Sequence, residues 1–191
     1  MVPSHRRSAY TLLEVVLVAA ILVIVAAMAV PSLDGMYGYY KLNAAVDSVQ
    51  AAWALGRAHA IEEGVPYRFS VVPGQGNFRL APDTGDYWSG STPPVADPDN
   101  PPAVVEDALA QGVTFAMGGN GQAAEASPND QTSLPVGQVD AGSWSTVAVF
   151  LPDGTASNDV EILFQVKGAM PTRMFLRALT GIVTVKTDGQ P

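Results

Sequence analysis

An uninterrupted apolar run at residues 15–30 constrains this chain more than any other feature. It contains only Val, Leu, Ile, Ala and one Met, with no charged or polar side chain. As an α-helix it would measure about 24 Å, against about 30 Å for the hydrocarbon core of a bilayer. Extended to residues 10–33 it is long enough to span, and it then carries one charge, Glu14. The run predicts a transmembrane helix over 10–30, with Glu14 as a candidate functional residue.

The residues around Glu14 resemble a known processing signal. Residues 9–14 read Ala-Tyr-Thr-Leu-Leu-Glu ahead of the apolar run, and this pattern resembles the class III signal of type IV pilins and type II secretion pseudopilins. The resemblance implies that a prepilin peptidase cuts between Ala9 and Tyr10 and N-methylates Tyr10. Pro31 stands where this family often has a proline, and it is the second candidate assembly residue. The family usually has Gly before the cut, whereas this chain has Ala9.

Cleavage after Ala9 would give Glu14 a partner. The new amine of Tyr10 would be a positive charge four residues from Glu14, at the same membrane depth. When helices of several subunits pack side by side, Glu14 of one subunit would pair with the terminal amine of another, because a buried charge is costly alone and tolerable when paired. Such a pair would favour one stagger between subunits. Glu14 is therefore expected to act in assembly.

Three other interpretations of the N-terminus compete. Residues 1–29 could be a Sec signal peptide, with Arg6 and Arg7 before the apolar run and Ala27-Met28-Ala29 as the cleavage site. The segment could also be a plain single-pass anchor, or a twin-arginine signal, although the residues after Arg7 fit that signal poorly. In the anchor interpretations the positive flank stays in the cytoplasm, so the remainder of the chain is exported.

Composition limits what the remainder can be. Of 191 residues, about 160 remain for a single soluble domain, which is enough for a hydrophobic core. There is no cysteine, so disulfides and thiolate metal sites are excluded. The net charge is −8, and loss of Arg6 and Arg7 with the leader takes the side-chain sum to −10. Such an acidic chain is a poor candidate for binding nucleic acid.

Hydrophobic periodicity divides the chain after residue 30 into a helix and a β domain. Pro31 is expected to interrupt the helix, which resumes over 39–63 with apolar residues three or four apart and stops at Gly64. An alternating pattern then predicts antiparallel strands at 65–72, 77–81, 113–117, 145–151, 160–166, 173–178 and 182–186. The expected organisation is a leader (1–9), a transmembrane helix (10–30), its periplasmic continuation (31–64) and a β domain (65–191) with long loops at 82–112 and 118–144.

Three further motifs resemble one branch of the pilin-like superfamily. Residues 57–61 (Arg-Ala-His-Ala-Ile) precede Gly-Val-Pro at 64–66, residues 150–155 read Phe-Leu-Pro-Asp-Gly-Thr, and residues 179–183 read Leu-Thr-Gly-Ile-Val. These motifs resemble the H-type (GspH/FimT) minor pseudopilins and their minor pilin relatives. The resemblance implies an α+β fold, in which a long N-terminal helix leads into two small antiparallel sheets arranged like a β-sandwich.

The sequence contains no recognisable catalytic motif. His59 beside Glu62 or Glu63 could form a metal pair, but a solvated helical surface is the favoured interpretation. The acidic segments 83–86 and 97–100 offer oxygen ligands for calcium without EF-hand spacing, and solvated loops are favoured there too. No nucleotide-binding or nucleophile-elbow motif occurs. We therefore expect no enzymatic activity, no cofactor and no metal.

These observations predict a structural protein. The favoured function is a minor pseudopilin of a type II secretion system, anchored once in the bacterial inner membrane, with its domain in the periplasm and assembled into a pseudopilus. The expected partners are prepilin peptidase, other pseudopilins and the inner-membrane assembly platform. One alternative is a minor pilin of a type IV pilus, including the DNA-uptake kind, although Arg173, Arg177 and Lys186 make only a sparse basic patch. The other is an exported soluble protein with a Sec signal.

Overall fold

The chain has an α+β fold in which one long helix precedes two antiparallel sheets. The computed structural model describes residues 11–89, 102–117, 134, 135 and 137–187, except for the side chains of 28–36, 117 and 141. The chain divides into two compact units, Met1–Tyr37 and Gly38–Pro191. The predicted α+β class, with an N-terminal helix followed by two antiparallel sheets, is confirmed.

Helix α1 (Leu12–Glu63) contributes to both units. Pro31 was expected to interrupt it but lies within its bounds, because a proline removes only one of the many hydrogen bonds of a 52-residue helix. Gly64 ends the helix with a φ of 69° and donates its N–H to the carbonyl oxygen of Ala60. Over the described part of the chain, no helix is both long enough and apolar enough to cross a membrane. The transmembrane helix over 10–30 stays a prediction.

The strands form two four-stranded sheets. The first has the order β3-β2-β1-β5 and the second the order β4-β6-β7-β8, with every neighbouring pair antiparallel. The strands are β1 (Tyr67–Val71), β2 (Asn77–Pro82), β3 (Val105–Ala108), β4 (Thr114–Met117), β5 (Ser145–Phe150), β6 (Val160–Gln165), β7 (Thr172–Leu176) and β8 (Val183–Thr187).

Two elements lie in the segment that was predicted as a loop over 82–112. They are the short helix α2 (Gly85–Trp88) and strand β3. The sequence of β3, Val-Glu-Asp-Ala, is half acidic and has little strand propensity, so its pairing with β2 decides its conformation. A 3-10 turn at Ala141–Ser143 lies in the second predicted loop. Residues 118–133 of that loop lie outside the described residues.

The core of the second unit lies between α1 and the two sheets. The predicted apolar stripe of α1 is confirmed, since Leu42, Val46, Val49, Trp53, Gly56 and Ala60 are all buried. Aromatic contacts run from Trp53 to Phe69, Phe78, Phe115 and Phe164, with ring centroids 5.5–6.4 Å apart at each step. This series joins α1 to both sheets, so a single core supports them all.

Gly56 sets how closely α1 approaches the first sheet. A Cβ atom at this position would lie 2.6 Å from Cδ1 of Leu80 and 3.2 Å from Cδ2 of Phe150. Only a residue without a side chain therefore allows this separation. The close approach places the last turns of α1, including Arg57 and Ile61, beside the ends of β5, β7 and β8.

Candidate functional site

The start of α1 holds Glu14 in a capped first turn. The backbone N–H of Glu14 donates to Oγ1 of Thr11 at 3.3 Å and to the Thr11 carbonyl oxygen at 3.1 Å. Thr11 is therefore the N-cap, and Glu14 is the third helical residue, the spacing of a capping box. A carboxylate in the first turn is also favoured by the helix dipole. The Thr-x-x-Glu spacing would have indicated this helix start, and the assembly interpretation of Glu14 overlooked it.

The apolar part of α1 exposes its side chains. Every described side chain from 11 to 27 is exposed, and Leu12, Leu13 and Val23 are at least 69% accessible. Apolar residues surround the helix on all sides, because residues 15–27 contain no polar side chain. The Glu14 carboxylate lies at the beginning of this surface and is itself exposed.

The remaining predicted site residues are only partly visible. Ala9 and Tyr10, the predicted cleavage and methylation positions, lie outside the described residues. Pro31 lies within the bounds of α1, and its side chain is not described. Glu14 is therefore the one predicted site residue whose backbone and side chain are both described. The roles expected for the N-terminus stay predictions.

At the other end of α1, a hydrogen-bonded network joins the helix to β1. Nδ1 of His59 lies 2.8 Å from Oε1 of Glu63, and the hydroxyl of Tyr67 donates to Oε2 of the same carboxylate at 2.8 Å. The backbone N–H of Ala103 donates to the Tyr67 hydroxyl oxygen at 3.1 Å. Burial, followed by the hydrogen bond to Glu63, raises the pKa of Tyr67 well above its ordinary value.

The expected solvated helical surface is present only in part: Glu62 is exposed, whereas His59 and Glu63 are partly buried. The side chains of His59 and Glu63 are 28% and 14% exposed, and Tyr67 contacts both, with its ring 5.8 Å from that of His59 and its hydroxyl bonded to Glu63. The pair acts as a structural link in this network. Among the described residues, no group of three or more His, Asp or Glu side chains is arranged to hold a metal ion.

The turn at residues 150–155 is stabilised by Asp153. Its Oδ1 accepts hydrogen bonds from the backbone N–H of Thr155 at 2.9 Å and from the Thr155 hydroxyl at 2.7 Å. These two bonds hold the pKa of Asp153 below its ordinary value. Gly154 adopts a φ of 82°, which an L-residue rarely does, and the turn thereby reverses the chain after β5.

The three short motifs of the β domain converge on one place. Arg57, from the first motif, lies against Gly154 of the second and Gly181 of the third. A Cβ atom at Gly181 would lie 2.6 Å from Cζ of Arg57, and one at Gly154 would lie 3.6 Å from Nη2 of Arg57. The motifs are distant in sequence, so their joint structural function is to form this contact between the helix and two turns.

A cavity of about 480 Å³ opens beside this contact. The helix contributes Trp53, Arg57 and Ile61 to its lining, and the strands contribute Phe150, Leu176 and Val183. The lining is mostly apolar, with one guanidinium. It is not predictable from the sequence, because its residues come from α1, β5, β7 and β8.

Among solved structures, two of the minor pseudopilin EpsH from the type II secretion system of Vibrio cholerae are similar to this chain. One is 12% identical and the other 17% identical, each with a TM-score of 0.48. The similarity covers 78% and 79% of this chain, and 99% and 96% of the respective EpsH chains. No family model and no curated protein matches the sequence.

Proposed function

We propose that this chain is an H-type minor pseudopilin, a structural subunit of a type II secretion pseudopilus. The proposal is supported best by three features that occur together at the N-terminus: a helix cap, a carboxylate and an exposed apolar surface. A Thr-capped helix holds Glu14 in its first turn and continues as an apolar surface whose side chains are exposed from 11 to 27. The two EpsH structures belong to the same class of protein, and the proposal rests on the residues of this chain.

The exposed apolar surface of α1 supports insertion into a membrane and then into a bundle of helices. Leu, Val and Ile on all sides of a helix are unfavourable in water and favourable in lipid or against other helices. In this proposal residues 10–30 anchor the precursor in the inner membrane, with the β domain in the periplasm. Prepilin peptidase cuts after Ala9 and methylates Tyr10, and the assembly platform then moves the subunit into the filament.

Glu14 is the residue proposed to set the register of assembly. Its position in the first turn places the carboxylate beside the N-terminus of its own helix, where a terminal amine of a neighbouring subunit would meet it. A carboxylate and an ammonium that enter an apolar bundle together neutralise each other. The β domain would face outward and contact neighbouring subunits, and the role is structural, without catalysis.

The mature N-terminus tests the processing step. We expect intact-mass and N-terminal sequencing of the chain from its native membrane fraction to give N-methylated Tyr10. A start at Val30 would instead establish a Sec signal peptide and an exported soluble domain. An uncut Met1 would contradict prepilin-peptidase processing and leave a plain anchor.

A charge-removing pair of variants tests the assembly step. Glu14→Gln should insert into the membrane normally and be lost from the sheared filament fraction. Glu62→Gln removes an equal charge from an exposed position of the same helix and should assemble as wild type. Equal incorporation of the two variants would refute the role of Glu14.

Salt-dependent binding of duplex DNA would favour the type IV pilin alternative, although Arg173 already pairs with Glu161 at 2.9 Å.

A further inference from the structure

The cavity beside Arg57 has the size of a binding site. Its volume of about 480 Å³ falls within the range of about 300–1,000 Å³ that is usual for ligand pockets. Phe150 and Leu176 supply apolar surface from the sheets, and Trp53 and Ile61 supply it from the helix. All of these residues belong to the unit Gly38–Pro191.

Two hydrogen-bond donors of this lining lack acceptors. Nε of Arg57 and Nε1 of Trp53 are buried, and neither has a hydrogen-bond partner within the described residues. The two residues are one helical turn apart, and both groups only donate. Leaving a buried donor without a partner is unfavourable, so a hydrogen-bond acceptor placed in this cavity would be stabilised by these two groups.

Arg57 also differs from three other arginines of the domain, each of which pairs with a carboxylate. Arg68 pairs with Asp83, Arg79 with Glu106 and Arg173 with Glu161. No carboxylate among the described residues pairs with Arg57. A guanidinium presents a planar pair of donors that matches a carboxylate. The complementary ligand group is therefore an anionic carboxylate placed next to apolar surface.

Strand β8 provides a second kind of recognition at the same cavity. Val183 of β8 lines the cavity, and β8 lies at the end of its sheet with only β7 beside it among the described strands. The register pairs Met174 with Val185, so both side chains share the inner face of the sheet. Met174 is fully buried, whereas Val185 is 42% exposed. The inner face of β8 is thus exposed at Val185 and partly covered at Val183, beside a strand edge that is the usual template for an added strand.

We propose that this groove binds an extended peptide segment of a partner protein as an additional strand on β8. The segment carries an acidic residue two positions from an apolar residue, so that both side chains lie on the same face of the added strand. Its main chain pairs with the open edge of β8, one apolar side chain packs on Val183 and Leu176, and the carboxylate binds Arg57. This assigns a peptide-recognition site to the β domain, and it does not depend on cleavage after Ala9 or on the role of Glu14.

The test uses the full chain in detergent micelles and a C-amidated peptide, labelled with fluorescein at its N-terminus, with the sequence Ser-Val-Thr-Val-Thr-Glu-Thr-Ser, in which Glu and Val lie on one face of the strand. Fluorescence anisotropy measures binding, and the indole N–H resonance of Trp53 reports on the cavity. We expect saturable binding that shifts this resonance. Replacement of the peptide Glu by Gln should weaken binding by about tenfold or more, since a charge-assisted hydrogen bond is lost. N-methylation of alternate peptide residues should abolish binding.

A matched pair of protein variants locates the carboxylate. Arg57→Gln should lower the affinity for the Glu peptide to that for the Gln peptide. The affinity for the Gln peptide should stay the same as in the wild type. Arg177→Gln removes the same charge from an exposed position that does not line the cavity, and it should bind both peptides as wild type. The comparison of the two peptides on the unmodified chain remains decisive if Arg57→Gln fails to fold.

Several results would overturn the proposal. Absence of binding, equal affinity for the Glu and Gln peptides, or an equal loss in the two arginine variants would each exclude a carboxylate at Arg57. Tighter binding of decanoate than of the peptide would indicate a site for small carboxylates instead of a partner strand. None of these results would bear on the processed N-terminus or on filament incorporation.

Discussion

The guanidinium of Arg57 lies so close to Gly181 that a Cβ atom there would be 2.6 Å from its Cζ. Gly181 also adopts a φ of 64°, and its N–H donates to the carbonyl oxygen of Arg177 at 2.8 Å. The β7–β8 turn is thereby fixed against α1. This one contact aligns the helix with the open edge strand of the second sheet.

Gly181→Ala should be more destabilising than a glycine substitution in an open turn. It introduces both backbone strain and a clash with Arg57, whereas Gly168→Ala introduces strain alone, since Gly168 has a φ of 87° and open space around it. We expect Gly181→Ala to cost about 1–2 kcal/mol more than Gly168→Ala in urea denaturation. In an Arg57→Ala background the two costs should become equal. A persistent difference in that background would show that Arg57 is not the cause.

Gly56→Leu should separate α1 from the first sheet. The new side chain would occupy the positions of Leu80 and Phe150, so we expect a loss of about 1–3 kcal/mol from the free energy of unfolding. Ala51→Leu adds a large apolar side chain at an exposed position of the same helix and should change stability by less than about 0.5 kcal/mol. Equal effects in thermal or urea denaturation would contradict the close approach at Gly56.

Tyr67→Phe should remove the link between β1, Glu63 and Ala103. It leaves Oε2 of Glu63 and the N–H of Ala103 without this partner, so we expect a cost of about 1–3 kcal/mol. Tyr40→Phe, at an exposed position, is the control and should be neutral.

The same tyrosine should make the domain sensitive to alkali. Burial and Glu63 raise its pKa in the folded state, while an unfolded tyrosine loses its proton near pH 10. Stability from this shift is therefore complete below about pH 10 and decreases as the pH rises further, because only the unfolded state deprotonates. Urea midpoints measured from pH 8 to 11 should fall in wild type and fall less in Tyr67→Phe. Parallel curves would contradict the assignment.

Thr155 should control the titration of Asp153. The carboxylate of Asp153 accepts two hydrogen bonds from Thr155, and these lower its pKa. Thr155→Val removes the hydroxyl and should return the pKa part of the way to its ordinary value, whereas Thr155→Ser should preserve it. The carboxyl carbon resonance followed by NMR from pH 2 to 6 measures this directly. An unchanged midpoint in Thr155→Val would show that the hydroxyl bond has no influence.

The fold was largely predictable, because periodicity reflects which side chains are buried. Phe69 and Leu80 face the core, while Arg68 and Arg79 lie on the opposite face of β1 and β2. Strand β3 was not predictable, since Glu106 and Asp107 favour a loop and only pairing with β2 makes them a strand. The expected interruption of the helix at Pro31 is absent for a related reason. The rule that proline breaks a helix is local and ignores the cooperativity of the helix on both sides.

The candidate sites were predictable to different degrees. Glu14 stands out in the sequence because a charge beside an apolar run is unusual. The N-cap role of Thr11 depends on one local hydrogen bond, and only the capping-box spacing suggests it. The importance of Arg57 could not be predicted, because Gly154 and Gly181 are about a hundred residues or more further along the chain. Its surroundings arise only when α1 packs beside both turns.

The first sheet fixes two further positions of the chain, α2 and Ala103. The indole N–H of Trp88 in α2 donates to the carbonyl oxygen of Pro82 at 2.9 Å, and Arg68 lies over the Trp88 ring at 5.0 Å. The backbone N–H of Ala103 donates to the Tyr67 hydroxyl oxygen. A fluorescent reporter attached at the exposed Ser89, directly after α2, would therefore follow the motion of the folded domain itself.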